Sequence, residues 1–274
     1  MIELKTAEQI ALMREAGLVV ARTLERLVAA VRPGVTTHDL DKVAEASIRD
    51  EGATPNFLGY HGFPAHICTS VNDQIVHGIP SPKTVLREGD VLSIDCGAIV
   101  AGFHGDSAVT VPVGEVAADR LELLRVTEES LWHGMAAARL GGRLIDVSRA
   151  IETYIRSQPH PHGGEWGIVE EYVGHGIGTE MHQEPQVHNF VAPRAPRGPK
   201  LVRGLALAVE PMVNLGARHT RVLDDGWTVV ARDGSVSAHF EHTFTLTDDG
   251  PWVLTALDGG ASRFAAMGVT AAAS

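Results

Sequence analysis

The chain has 274 residues, of which 44% are hydrophobic, 21% charged and 5% aromatic, and its formal charge is -11 at pH 7. That length suits one compact unit or two fused halves, and the ordinary apolar share excludes global disorder. The acidic balance opposes binding to a phosphate backbone, so nucleic acid is set aside as a substrate; the two cysteines, Cys68 and Cys96, form no CxxC pair, which argues for a reducing compartment over a disulfide framework or thiolate zinc site.

The opening MIELKTAEQIALMREAG carries charges where a secretion signal needs an unbroken apolar stretch, and no window approaches the roughly 20 apolar residues of a membrane helix. A soluble, cytoplasmic protein is expected. From Thr6 the sequence predicts a helix: Thr6 with Gln9 makes a capping box, Ile10, Met13, Val20, Leu24, Leu27 and Val31 repeat at helical spacing, and Arg32-Pro33-Gly34 stops it. A second helix starts at Thr36 or Thr37, buries Leu40, Val43, Ala44 and Ile48, and ends at Gly52.

Strand-like runs follow at His66 to Val71, Val91 to Val100 and Ser107 to Val113. Helical spacing returns from Ala118 to Leu140 through Leu121, Leu124, Leu131 and Met135, and a further helix begins near Asp146. This second helical pair repeats the first in its residues. Arg32, Gly34, Asp39, Glu45, Ile48 and Arg49 recur as Arg139, Gly141, Asp146, Glu152, Ile155 and Arg156, an offset of 139 - 32 = 107, which points to an internal duplication. The last third is strand-rich, with LALAVEPMV from Leu205, WTVVA from Trp227 and HFEHTFTLT from His239, and the alanine-rich tail beyond Gly259 is expected to fray.

Five residues resist a purely structural reading: Asp95, Asp106, His175, Glu210 and Glu241 each interrupt an apolar or glycine-rich context. By strand alternation Glu241 shares a face with His239 and Thr243, opposite Phe240, His242 and Phe244. Four carboxylates gathered around one imidazole would raise each other's pKa and hold protons unless cations balanced them, and two divalent ions cancel four negative charges. Carboxylates with one imidazole and no thiolate suit manganese, iron, cobalt or zinc, and the set is similar to that of two-metal hydrolases.

Five blocks in order carry a specific resemblance: LGYHGFPAHICTSVNDQIVHGIP (58–80), SIDCGAIVAGFHGD (93–106), VGHGIGTEMHQEPQV (173–187), AVEPM (208–212) and FEHTF (240–244). Through them the chain resembles the type I methionine aminopeptidases over nearly its full length. The resemblance implies an α+β pita-bread fold, two pseudo-symmetric α/β halves around a curved antiparallel sheet. It gives one catalytic domain over residues 1–259, with halves of about 1–115 and 116–259, and a short tail at 260–274. It also implies a dinuclear centre in which Asp95 chelates one ion, Asp106 and Glu241 bridge both, and His175 with Glu210 complete the other shell.

The implied activity is removal of the initiator methionine from nascent proteins and peptides when the next residue is small. By motif match Glu210 is the proton shuttle, His77 hydrogen bonds around the substrate amide, and His182 stabilises the carbonyl oxygen as it becomes an oxyanion. Tyr60, Phe63, Cys68, Met181 and Trp227 match the methionine pocket, closed on one side by His77. Phe57 and Phe63 replace a cysteine and a tyrosine of familiar bacterial members, and Thr179-Glu180-Met181 alters the loop before His182. Cys96 follows the first ligand, but neighbouring strand residues point to opposite faces, so it is expected to pack in the core.

No zinc-binding or proline-rich arm precedes the first helix, so any transient ribosome contact is expected to use the domain surface. A monomer is expected. Because Ile2 is bulky, Met1 is expected to stay on this chain. Two rival readings share the fold: a proline-specific aminopeptidase, whose large N-terminal domain and histidine-rich pattern are missing here, and an inactive peptide-binding module, which would typically have lost ligands that this chain keeps.

Overall fold

The computed structural model describes residues 2–272; Met1, whose retention is expected above, and the last two residues of the tail lie outside the described residues. Helix α1 spans Ala7–Ala30 and α2 spans Thr37–Asp50. The capping box of α1 forms as expected, with the Gln9 backbone N–H donating to the Thr6 hydroxyl and the Thr6 N–H donating to the Gln9 side-chain carbonyl. Val31 adopts an extended conformation ahead of Pro33, and α2 opens with its own capping box between Thr36 and Asp39.

The strands follow as β1 (Thr54–Pro55), β2 (Ile67–Val71), β3 (Gln74–Val76), β4 (Val91–Val100) and β5 (Phe103–Pro112). Helices α3 (Ala118–Ala137) and α4 (Leu144–Ser157) come next. Then come β6 (Gly167–Ile168), β7 (Gly174–Gly176), β8 (Gln183–Val187), β9 (Ala206–Val209), β10 (Met212–Asn214), β11 (Thr220–Val222) and β12 (Val229–Ala231). The chain closes through β13 (Ser237–His239), β14 (Glu241–Thr247), β15 (Gly250–Val253) and α5 (Ala261–Ala266).

The main sheet runs β1-β4-β5-β14-β9-β7-β8, with β2 on β4 and β15 on β14, and every pairing is antiparallel. Two three-stranded sheets, β13-β10-β6 and β11-β12-β3, flank it. This is the pita-bread fold expected from the motifs. One face of the main sheet buries Leu92, Ile94, Cys96 and Ala98 against Val20, Leu24, Leu27 and Leu40 of α1 and α2. Leu207, Val209 and Phe244 pack with Leu123, Leu131 and Met135 of α3 and with Val147 and Ile151 of α4. Close approach of α1 to the sheet depends on glycine: a Cβ at Gly17 would stand 2.2 Å from the Leu254 carbonyl oxygen, and one at Gly105 would stand 2.8 Å from the Gly17 nitrogen.

The repeated residues have repeated geometry. Gly34 and Gly141 both take positive φ, at 91° and 83°, and their N–H groups donate to Leu86 O and Leu201 O. Five residues on in each case, Asp39 and Asp146 accept from the backbone N–H of Thr36 and Arg143, so both second helices start on the same device. Three details differ from expectation. The run from Leu205 breaks at Glu210-Pro211, where proline offers no N–H, and the run from His239 breaks at Phe240. Leu121 is exposed, and Leu123 takes the buried place on α3. The segment beyond Gly259 is not a frayed tail: α5 buries Phe264 in the core with its ring 5.4 Å from that of Trp132, because one aromatic anchor outweighs the alanines around it. Among the described residues no helix is long and apolar enough to cross a membrane.

Candidate metal centre

Antiparallel register decides which side chains meet, because directly paired residues point to the same face and residues two apart along a strand do too. Asp95 on β4 pairs with Ala108 on β5, and Ala108 pairs with Glu241 on β14. Asp106 precedes Ala108 by two and joins that face. Thr243 follows Glu241 by two and pairs with Ala208, which pairs with His175 on β7. Glu210 follows Ala208 by two, just past β9. Five consecutive strands thus contribute one donor each to one face, and Cys96 falls on the other with the α1 and α2 core, as expected.

Hydroxyls fix this register where the ladder between β5 and β14 is short. Thr243 Oγ1 donates to the Asp106 carbonyl at 2.8 Å and accepts from the Asp106 N–H at 3.2 Å. Thr110 Oγ1 does the same for His239, donating to its carbonyl at 2.7 Å and accepting from its N–H at 2.9 Å. Asn189 donates to the Glu210 carbonyl at 3.0 Å, holding the backbone at the strand break.

Asp106, His175 and Glu241 are buried, with Asp106 3% exposed and Glu241 2%, and Asp95 and Glu210 are partly buried. Asp95 Oδ1, Asp106 Oδ1 and Glu241 Oε1 have no hydrogen-bond partner among the described residues. Burial raises the carboxyl pKa of Asp95 to about 7 and that of Glu210 to about 8, and it drives Asp106 and Glu241 well above the ordinary carboxylate range. His175 is pushed the other way, to about 3, again by burial.

His175 Nδ1 lies 3.0 Å from the Gly176 carbonyl, which can only accept, so Nδ1 carries the proton and Nε2 presents a lone pair. That lone pair faces Glu210 Oε1 at 3.4 Å. Two acceptors face each other, and a cation between them resolves the repulsion. The orphaned oxygens and the fixed histidine tautomer fit divalent metal ions. Asp106, His175 and Glu241 place ligand atoms within 4.8 Å of one another, and so do Glu210, His239 and Glu241.

Above these donors opens a cleft lined by Phe57, Tyr60, Phe63, Cys68, His77, Met181, His182 and Trp227 together with Asp95, Asp106, His175, Glu210 and Glu241. Every residue expected to bind metal, act in catalysis or line the methionine pocket therefore reaches one cavity. Phe57, Phe63, Cys68 and Met181 form a buried apolar cluster, with Tyr60 and Trp227 packed against it and the Phe63 and Trp227 rings 5.1 Å apart edge to face. His77 follows β3 in a left-handed conformation (φ 61°), a backbone state rare for residues other than glycine, and burial lowers its pKa to about 4. His182 is exposed at the rim, its Nδ1 2.7 Å from the Tyr60 hydroxyl, so Nε2 is the nitrogen free to meet a ligand.

Two residues were missed as cavity or centre residues. Phe57 stood out in the sequence only as a departure from familiar relatives. His239 was placed on the Glu241 face by alternation alone; its burial beside Glu210 needs the fold. The fold and this cluster define a peptidase-type metal centre. A family model described as "Metallopeptidase family M24" matches residues 11–248. The chain is 51% identical over 251 residues to methionine aminopeptidase 1 of Mycobacterium tuberculosis, covering 92% of this chain and 94% of that one. It is 48% identical over 255 residues to the methionine aminopeptidase of Clostridium acetobutylicum, covering 93% and 99%. A crystal structure of methionine aminopeptidase from Thermotoga maritima superposes with a TM-score of 0.88 at 40% identity, covering 93% of this chain and all of that one. The chain belongs to metallopeptidase family M24, among its methionine aminopeptidases.

Proposed function

We propose that this chain is a metal-dependent exopeptidase that removes the N-terminal initiator methionine from nascent proteins and peptides when the next residue is small. The observation that carries this reading is the single face formed by five consecutive strands, each giving one metal donor, beneath an apolar cleft. Asp95, Asp106, His175, Glu210 and Glu241 would hold two divalent ions drawn from manganese, cobalt, iron and zinc. When bound, the ions supply Lewis-acid polarisation of a peptide carbonyl and lower the pKa of water.

The chain's own groups complete the chemistry. Glu210, at the base of the cleft beside His175, relays a proton from the nucleophile to the departing amine. His77, kept neutral by burial, hydrogen bonds around the substrate amide. His182 at the rim stabilises the carbonyl oxygen as charge develops. Tyr60, Phe63, Cys68, Met181 and Trp227 receive the thioether side chain and exclude water from it. The chain acts as one catalytic domain of two related halves, about 1–115 and 116–259, with α5 docked into its core through Phe264. The protein works as a cytoplasmic monomer on methionyl peptides and meets ribosome-borne chains through its surface.

The test is hydrolysis of Met-Ala-Ser beside Ala-Pro and Met-Pro-containing peptides, by chelator-stripped protein restored separately with manganese, cobalt, iron and zinc. Metal-restored release of methionine from Met-Ala-Ser is the expected outcome. Preference for the proline peptides would shift the reading to a proline-specific enzyme. A folded protein that binds two ions and cleaves nothing would be a binding module.

A further inference from the structure

His239 is the last residue of β13, two before Glu241, and it shares the face of the metal donors. It is 1% exposed, and neither of its ring nitrogens has a hydrogen-bond partner among the described residues. Two other histidines on sheet strands or beside them have partners. His242, on the opposite face, bonds the Thr255 hydroxyl at 2.9 Å, and His66 bonds Asp41 at 2.9 Å. A buried imidazole with two idle nitrogens is costly unless something occupies the space in front of it.

What stands in front of His239 is acid. Its Nε2 lies 3.6 Å from Glu210 Oε2 and 4.0 Å from Glu241 Oε2. Both separations are too long for hydrogen bonds. Two donors on one first-row ion, each about 2.1 Å from it, can stand at most about 4.2 Å apart, so both separations fit a shared ion. Glu210 turns one oxygen to each imidazole: Oε1 to His175 at 3.4 Å and Oε2 to His239 at 3.6 Å. The Thr110 hydroxyl clamps the His239 backbone on both its N–H and its carbonyl, so the ring is held from behind.

We propose that His239 is a sixth protein donor to the metal centre, binding through Nε2 beside Glu210 and Glu241, so that the ion pair takes two imidazoles instead of one. This rests on the dinuclear reading above. Its role is ligation and is separable from turnover. The five donors drawn from the sequence motifs leave out this nitrogen.

X-ray absorption of the wild-type protein loaded with zinc counts the imidazoles without any mutation. Two per pair of ions are expected, and one per pair would overturn the proposal. Calorimetric titration of chelator-stripped His239→Ala and His239→Gln with cobalt, on samples shown to be folded by circular dichroism, should find one ion weakened on the order of 10- to 100-fold. Unchanged affinity and an unchanged cobalt absorption spectrum in both variants would also overturn it, even if turnover fell. A wild type that shows two imidazoles yet never cleaves Met-Ala-Ser would support this ligation and remove the substrate reading. A wild type that binds fewer than two ions would overturn the dinuclear centre and His239's place in it together.

Discussion

On the floor of the cleft, Asp95, Asp106 and Glu241 keep carboxylate oxygens without partners; on its wall, Phe57, Phe63, Cys68 and Met181 pack as any core would. The floor gathers like charges that oppose their own burial, and the sheet's register holds them there. The wall needs no such restraint, because each contact removes apolar surface from water. A floor residue is therefore expected to be intolerant of a change in charge, and a wall residue to respond in proportion to volume.

The sharpest break of the floor is Glu210→Gln. It keeps shape but cannot relay a proton, so kcat for Met-Ala-Ser at saturating metal should fall by roughly 10² to 10⁴, while much of the metal is kept although one ligand has lost its charge. Near-normal turnover would take Glu210 out of the proton relay. Asp106→Asn should weaken metal binding by about 10- to 100-fold or more, read by calorimetric titration, since it removes the charge of a proposed ligand. An unchanged titration curve would take Asp106 out of the centre.

Proton uptake separates floor from wall without mutation. Asp95 and Glu210 have folded pKa values of about 7 and 8, above the ordinary carboxylate value near 4. In metal-free protein their contribution to stability is full below about pH 4 and is lost as pH rises through about 7 to 8. His175, depressed to about 3, contributes in the opposite direction: its stability is present above about pH 6.5 and lost as pH falls through 3. Metal ions must displace the carboxyl protons, so affinity should climb from pH 6 to pH 8. Proton release on binding, measured in buffers of different ionisation heat, should be larger at pH 6 than at pH 9, and equal release would contradict these shifts.

The wall gives smaller effects. Met181→Ala should raise KM for Met-Ala-Ser roughly 10-fold with kcat less affected, in line with about 1–3 kcal/mol for lost apolar contact in a pocket. If kcat alone fell, Met181 would belong to the chemistry instead of the pocket. Smallest of all is Cys96→Ala on the far face of the sheet. Metal content measured by atomic emission should not change, and stability should fall by about 1 kcal/mol; loss of metal would mean that Cys96 reaches the centre after all.

Much of this was legible in residues. Thr6 with Gln9 announced the first helix start because capping is a local bargain between side-chain oxygens and nearby N–H groups, and the second start was placed at Thr36 or Thr37 without its Asp39 partner. The 107-residue offset marked the paired helices, and strand alternation put Glu241 and His239 on one face and Cys96 on the other. Alternation also promised strands through Glu210-Pro211 and Phe240, where the structure breaks them, since a run of apolar residues does not report where a ladder loses its partner. Leu121 and the docking of Phe264 were misjudged for the same reason: which of several apolar residues is covered depends on a neighbour distant in sequence.

Sequence by itself determined the donor types, the helix ends, the two-residue period of each strand and, through its motifs, the family. Tertiary structure alone decided that β4, β5, β14, β9 and β7 lie side by side, turning five scattered residues into one charged face. It also set Glu210 between His175 and His239 and closed the Phe63–Trp227 wall over them. The physical reason is that side-chain direction along a strand follows from local backbone geometry, whereas the identity of the neighbouring strand follows from burial and hydrogen bonding across the whole chain.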